Sequence, residues 1–262
     1  MTRRFFIIAT VVLFSAVGVF SSCNDDDDEP DYSTLILGQW LHIDVNNTNE
    51  SYAISITNDK KVTFSYALEE SAEVGYTWYT SPKLAFSLNG SFIEVTGEME
   101  PGIELYNKVR INSLDEQTYN FTSLEYSLNG EIDHSEDNLT YIMKKTSDTS
   151  SEVVGAWKGT EIGSEEVIFY YLFKANHTMD YYELEEDGSW THYPYEKYYC
   201  YSDFMAMLWK ETTDESDPNV YAGYVMEKEN DDALIFTNKK EGVVNDAFIL
   251  YRIDKTELPG QE

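Results

Sequence analysis

The side chains that could do chemistry are few, and most are badly placed for it. His42, His134, His177 and His192 stand apart, none at the short spacing that tetrahedral zinc sites use. Glu69-Glu70, Glu165-Glu166 and Glu185-Glu186 have the residue type for two-carboxylate glycoside hydrolysis. In a chain with 48 acidic residues, however, adjacent acids arise by chance and are usually solvated loops. The sequence carries neither a Gly-rich phosphate loop nor a Gly-x-Ser-x-Gly elbow. The expectation is a non-enzyme with no catalytic residues, no metal and no cofactor.

Two cysteines and one aromatic stretch remain. Cys200 lies within Tyr198-Tyr199-Cys200-Tyr201, where a small buried hydrophobe is expected. A catalytic thiol would need a base beside it to make the thiolate. The aromatic stretch runs from Tyr181-Tyr182 through Trp190-Thr191-His192-Tyr193-Pro194-Tyr195 to Tyr201. It reads either as a barrel wall whose inward rings fill the core or as a stacking platform for a sugar ring or a small apolar ligand. Trp190, Tyr193 and Tyr195 are the ligand-binding candidates. Strand side chains alternate, so Trp190 and Tyr193 face opposite sides unless the strand is bulged at Pro194.

The second cysteine, Cys23, closes a leader. Arg3 and Arg4 precede an apolar run from Phe5 to Phe20, and Ser21-Ser22 stand directly before Cys23. The basic, apolar, small-residue order is that of a secretory signal. The apolar run is shorter than the roughly 20 residues needed to cross a ~30 Å hydrocarbon core. Small residues followed by cysteine at this point resemble the lipobox of bacterial lipoproteins. The resemblance implies cleavage after Ser22 and a lipid on Cys23. Asp25-Asp26-Asp27-Asp28-Glu29-Pro30 follows at once. Such a run cannot collapse and would act as a tether. Cysteine followed by acids also resembles the surface-export signal of Bacteroidetes lipoproteins, which implies an outer-membrane, lipid-anchored protein displayed on the cell surface.

Composition narrows the partners. With 18 Lys+Arg against 48 Asp+Glu the net charge is −30, and removing a leader that holds Arg3 and Arg4 but no acid makes it more negative. A field of that sign repels phosphate backbones, so nucleic acid is excluded as a partner. Membrane attachment would come from the lipid anchor, and two or more acyl chains are needed to hold firmly. If Cys23 is acylated, Cys200 has no partner within the chain and no disulfide framework exists.

The elements that must position these residues are strands, and they come twice. Leu37-Gly38-Gln39-Trp40 recurs as Val154-Gly155-Ala156-Trp157, each after a Ser/Thr/Asp-rich stretch. Downstream the order of patterns repeats as well, ending on Leu139-Thr140-Tyr141-Ile142-Met143 and on Ala247-Phe248-Ile249-Leu250-Tyr251-Arg252. Lys61-Val62-Thr63-Phe64-Ser65-Tyr66 alternates polar and apolar in the strand period. Leu88-Asn89-Gly90-Ser91 and Leu128-Asn129-Gly130-Glu131 carry the hairpin signal. Phe204-Met205-Ala206-Met207-Leu208-Trp209 is apolar on both faces, so that strand should be covered on both sides.

Gly-x-Trp at the first strand of an up-and-down β pattern resembles the lipocalin-like domains of bacterial lipoproteins. The resemblance implies that Trp40 and Trp157 pack across the closed end of each barrel, with Gly38 and Gly155 permitting close approach. The expected fold is all-β: two tandem antiparallel up-and-down, lipocalin-like barrels or sandwiches after a signal peptide. The expected boundaries are 1–22 for the signal peptide, 23–33 for the lipidated tether, 34–146 for the first domain and 151–255 for the second. The expected role is a binding module for a small apolar or glycan ligand. The alternative is a structural or interaction subunit with filled barrels and an envelope protein as partner.

Overall fold

The computed structural model describes residues 31–134 and 138–260. The leader, Cys23 and the acidic run lie outside the described residues, and so does the expected lipid attachment.

The described chain is all-β. In order come β1 (Gly38–His42), β2 (Tyr52–Thr57), β3 (Lys61–Ser71), β4 (Gly75–Thr80), β5 (Leu84–Asn89), β6 (Phe92–Glu100), β7 (Ile103–Leu114), β8 (Thr118–Leu128), β9 (Glu131–Ile132) and β10 (Thr140–Thr146). A one-turn helix, Ser150–Val153, leads into β11 (Gly155–Glu161), β12 (Val167–Phe173), β13 (Thr178–Leu184) and β14 (Trp190–Tyr201). Then follow β15 (Phe204–Lys210), β16 (Asn219–Asn230), β17 (Ala233–Lys240) and β18 (Val243–Ile253). The two Asn-Gly pairs fall between β5 and β6 and between β8 and β9, as hairpin chemistry requires.

Two compact units form. One takes the chain up to Trp40, Ile54–Thr63 and Ser81–Lys145; the other takes Leu41–Ala53, Phe64–Thr80 and the chain from Thr146. In the first unit β5, β6, β7 and β8 pair successively, and β10 returns onto β8 from Thr140↔Thr122 to Lys144↔Thr118. Lys61 and Val62 extend this sheet by pairing with Ala85 and Leu84. Alternate residues on one face, among them Ile93 and Val95 of β6 and Val109 and Ile111 of β7, are buried.

The second unit holds a closed barrel. Each of β11 to β18 pairs antiparallel with the next, and β11 pairs with β18 from Ala156↔Ile253 to Glu161↔Phe248. Eight strands therefore close on themselves and leave no edge. Phe169, Phe173, Met179, Tyr198, Met205, Met207, Phe236, Phe248 and Leu250 form the inner core with Trp157. The doubly apolar strand β15 is covered on both sides. Met205 and Met207 point to that core, while Phe204, Ala206 and Leu208 pack outward against Leu41, Ala53, Trp78, Tyr201 and Tyr221. Trp78 comes from β4 and anchors this outer layer, its indole N–H donating to the Tyr201 hydroxyl at 2.8 Å.

A short 3-10 turn, Thr48–Glu50, belongs to the same unit and fills a gap in the barrel wall. The β16–β17 ladder ends at Val225↔Thr237. Beyond it, the Thr48 hydroxyl donates to the Gly223 carbonyl at 2.6 Å and accepts from the Lys239 amide at 2.9 Å. Asn238 donates to the Gly223 carbonyl and to the Asn49 side chain. Side chains thus replace the backbone pairing that the parted strands lose, which satisfies buried polar groups that would otherwise be orphaned.

The repeated Gly-x-Trp is built alike in each unit. The Trp40 indole N–H donates to the Ile36 carbonyl at 2.8 Å, and that of Trp157 to the Val153 carbonyl at 2.8 Å. A cation from a later strand lies over each ring: Lys145 Nζ at 4.2 Å from the Trp40 centroid, the Arg252 guanidinium at 4.2 Å from that of Trp157. The same cations reach the backbone just before the strand, Lys145 at the Leu35 and Leu37 carbonyls, Arg252 at the Glu152 and Val154 carbonyls. Glycine is required at both turns. Gly38 has φ +121 and Gly155 φ +135, and a Cβ there would meet Lys145 Cε at 2.8 Å or Arg252 Nη1 at 2.9 Å.

Candidate functional site

The aromatic stretch of β14 divides between two faces of the barrel wall. Trp190 is on the outer face, 4.9 Å edge-on from Tyr170, in a cluster with Ala156, Leu172, Tyr182 and Leu258. His192 stacks on Tyr182 at 4.5 Å on that same face. Tyr193 pairs with Tyr181, whose ring is 5.6 Å away and which packs against the inner core. The structure therefore does not bring Trp190 and Tyr193 together. Tyr195 lies in β14 at the irregularity where the β13–β14 register shifts.

That irregularity moves a different residue inward. Tyr193 pairs with Tyr181, but the next matched pair is Glu196 with Met179. Simple alternation from Tyr193 would turn Glu196 outward. The bulge at Pro194-Tyr195 resets the alternation, so that Glu196, Tyr198 and Cys200 all follow on the inner face. The sequence raised a bulge at Pro194 only as the condition for bringing Trp190 and Tyr193 to one face, and the bulge, falling after Tyr193, does not do so.

Glu196 is 1 % exposed, and neither carboxyl oxygen has a hydrogen-bond partner among the described residues. Burial pushes its carboxyl up to about 9, and the fields of Asp180 and Glu183 add to the shift. Both charged neighbours are acids, so nothing compensates the group's desolvation. Around it stand tyrosines. Tyr171 and Tyr181 are 5.1 Å apart, and burial first, then the charge of nearby acids including Glu196, raises both hydroxyls. Tyr193 is raised in the same way, by burial and then by Glu183 and Glu185. Across the barrel the Tyr224 hydroxyl donates to Asp246 Oδ2 at 2.8 Å. Glu183 and Asp246 are exposed, whereas Tyr224 and Glu196 are buried. The inner face thus runs from acids open to solvent, past tyrosine rings, to a buried unpaired acid.

No protein-family model matches the chain, and no curated protein matches it. The site is therefore read from its own chemistry. Elsewhere that chemistry is quiet. Cys200 is buried, and burial pushes its thiol up to about 12, which opposes thiolate formation even though the Thr149 hydroxyl, 3.1 Å away, pulls the other way. Among the described residues no group of three or more His, Cys, Asp and Glu side chains could hold a metal ion. A shallow hollow of about 310 Å³ at the β8–β9 turn is lined by Tyr126, Leu128, Glu131, Ile132 and Asp133. It takes in no aromatic residue singled out from the sequence.

A buried carboxyl with two unsatisfied oxygens opposes folding, because an unpaired polar group costs about 1–3 kcal/mol when desolvated. Buried polar atoms of this kind are rare and call for an explanation in use. Inside the closed barrel, Glu196 stands beside tyrosines and offers hydrogen-bonding oxygens that no described residue uses. The sequence signal for Glu196 was weak, since it is one of 48 acids and only the strand bulge distinguishes it.

Proposed function

We propose that this chain is a lipid-anchored outer-membrane protein, displayed at the cell surface, that serves as a non-enzymatic binding module. Its ligand has a small apolar or sugar-like body and enters the interior of the second-unit barrel. The observation that carries this reading is Glu196, buried and without partners, among Tyr171, Tyr181 and Tyr193. Tyrosine suits such a lining because its ring is rigid and its hydroxyl is polar. The anchoring part of the reading rests on Ser21-Ser22-Cys23 and the acids after it.

A second reading, an interaction subunit working through its outer surface, draws on a separate observation. Val45, Val243 and Val244 are 61 %, 67 % and 53 % exposed, and the Gly242 amide bonds the Asn46 carbonyl between them at 2.7 Å. Exposed apolar side chains brought together this way mark contact surfaces.

A small-molecule panel scored by the thermal unfolding of the full chain separates the two. Compounds that raise Tm should lose the effect in Tyr193→Ala, on the inner face, and keep it in Trp190→Ala, on the outer face. If the shift survives Tyr193→Ala, or if no compound shifts Tm, the interior-binding reading is wrong and the partner reading takes its place.

A further inference from the structure

We infer that the ligand of the second-unit barrel carries a protonated amine, which the Glu196 carboxylate receives on the inner face of the barrel beside Tyr171, Tyr181 and Tyr193. This rests on the interior-binding reading above and names its ligand class. Neither oxygen of Glu196 has a partner, and once ionised the carboxylate offers two acceptors to a group that brings several N–H donors to one point. An ammonium has three.

The surroundings favour the cation further. The charges acting on Glu196 are those of Asp180 and Glu183, and no basic side chain is among them. Tyr171, Tyr181 and Tyr193 pack in succession 5.1 and 5.6 Å apart, and aromatic rings attract an ammonium through the ring quadrupole. Glu183 and Asp246, both exposed, extend negative charge to the solvent end of the same inner face. A chain of net charge −30 concentrates small cations around itself as well. Lipid-like or neutral ligands would gain from the rings but would leave the carboxyl uncompensated.

Binding then moves a proton. At neutral pH the unliganded acid is protonated, because burial and neighbouring acids hold it up to about 9. An ammonium entering beside it favours the carboxylate, so the acid proton leaves to solvent and the ion pair R–NH3+ with Glu196 carboxylate remains. The groups near Glu196 on the inner face are Tyr171 of β12, Tyr181 and Glu183 of β13, Tyr193 of β14, Tyr224 of β16 and Asp246 of β18, while Asp180 of β13 lies on the outer face, paired with Lys174 at 2.7 Å and 3.7 Å from His192. The tyrosine hydroxyls are raised by burial and stay neutral throughout. Glu196, raised to about 9, ionises progressively as pH climbs toward that value. Affinity should rise close to tenfold per pH unit below that value while the amine stays charged.

Titration calorimetry on the full chain, purified in detergent, tests this with butylamine and phenethylamine against 1-butanol, phenethyl alcohol and methyl glucoside. The expected result is amine binding at least tenfold tighter than that of the matched alcohol. Comparison of buffers with different ionisation enthalpies at pH 7 should show release of about one proton per amine bound. Glu196→Gln should lower amine affinity at least tenfold and abolish the proton release. Wild-type proton release is read independently of that variant, so a misfolded variant does not remove the test. Equal binding of alcohol or glucoside overturns the amine and leaves the binding module standing. Amine binding without proton release overturns the role of Glu196. Binding by none of the probes overturns the amine inference, and the panel described above then decides whether the barrel binds anything.

Discussion

Glu196 is the residue whose own desolvation most plainly opposes folding. Its two oxygens are desolvated and unpaired, so the native state holds the group only in neutral form. An acid raised on folding leaves stability intact below its unfolded value, near 4.3, and loses it progressively as pH climbs toward about 9. Glu196→Leu, which removes the polar atoms but keeps an apolar side chain of similar bulk, should therefore stabilise the second unit, and by clearly more at pH 8 than at pH 5. Urea unfolding at both pH values checks it, and a variant less stable than wild type at pH 8 would mean that Glu196 has a partner in solution. The cations over the tryptophans teach a different lesson. Gly-x-Trp was legible twice in the sequence, but Lys145 and Arg252 were not, because each belongs to a distant strand and joins its Trp only when the sheet brings the two together.

At the scale of elements, β14 and β15 decide what the barrel can do. β15 announced itself: six apolar residues in a row can be buried only if both faces are covered, and both are. The cover on its outer face was not legible, since it comes from β4 and the Leu41–Ala53 stretch, far back in the chain. Trp78 is the centre of that cover, packed on Tyr199, Tyr201, Phe204 and Tyr221. Trp78→Ala should cost about 3–5 kcal/mol, the range for emptying a large buried aromatic site. Hydrogen exchange should show faster opening of the β15 and β16 amides. If only β3 and β4 exchange faster, the cover is not integral to the barrel. In β14 the alternation of side chains failed as a guide at one place. Counting by twos from Tyr193 sends Glu196 to solvent, and the bulge at Pro194-Tyr195 sends it inward instead. Trp190, the most conspicuous residue of the stretch, lies on the outer face for the plain reason that alternation holds before the bulge.

For the whole molecule, composition and periodicity made the all-β class readable, and the closure of β11 onto β18 gave it a closed eight-stranded barrel. The division into units was harder to read, because Leu41–Ala53 and Phe64–Thr80 count with the second unit although they come early in the chain. Patterns along a sequence report which residues are buried, and they do not say against what. Anchoring is tested at this scale. Cys23→Ala should stop incorporation of labelled fatty acid and release the protein from the membrane fraction, whereas unchanged labelling would place the lipid elsewhere or nowhere. The account as a whole turns on whether the inner face of the barrel is where a ligand goes. Ring-labelled tyrosine NMR of the full chain during phenethylamine titration measures that directly. The account predicts that Tyr171, Tyr181, Tyr193 and Tyr224 shift together with one saturation curve, while Tyr170 and Tyr182 on the outer face stay in place. Shifts confined to Tyr170 and Tyr182, or no shift in any of the six, would contradict it.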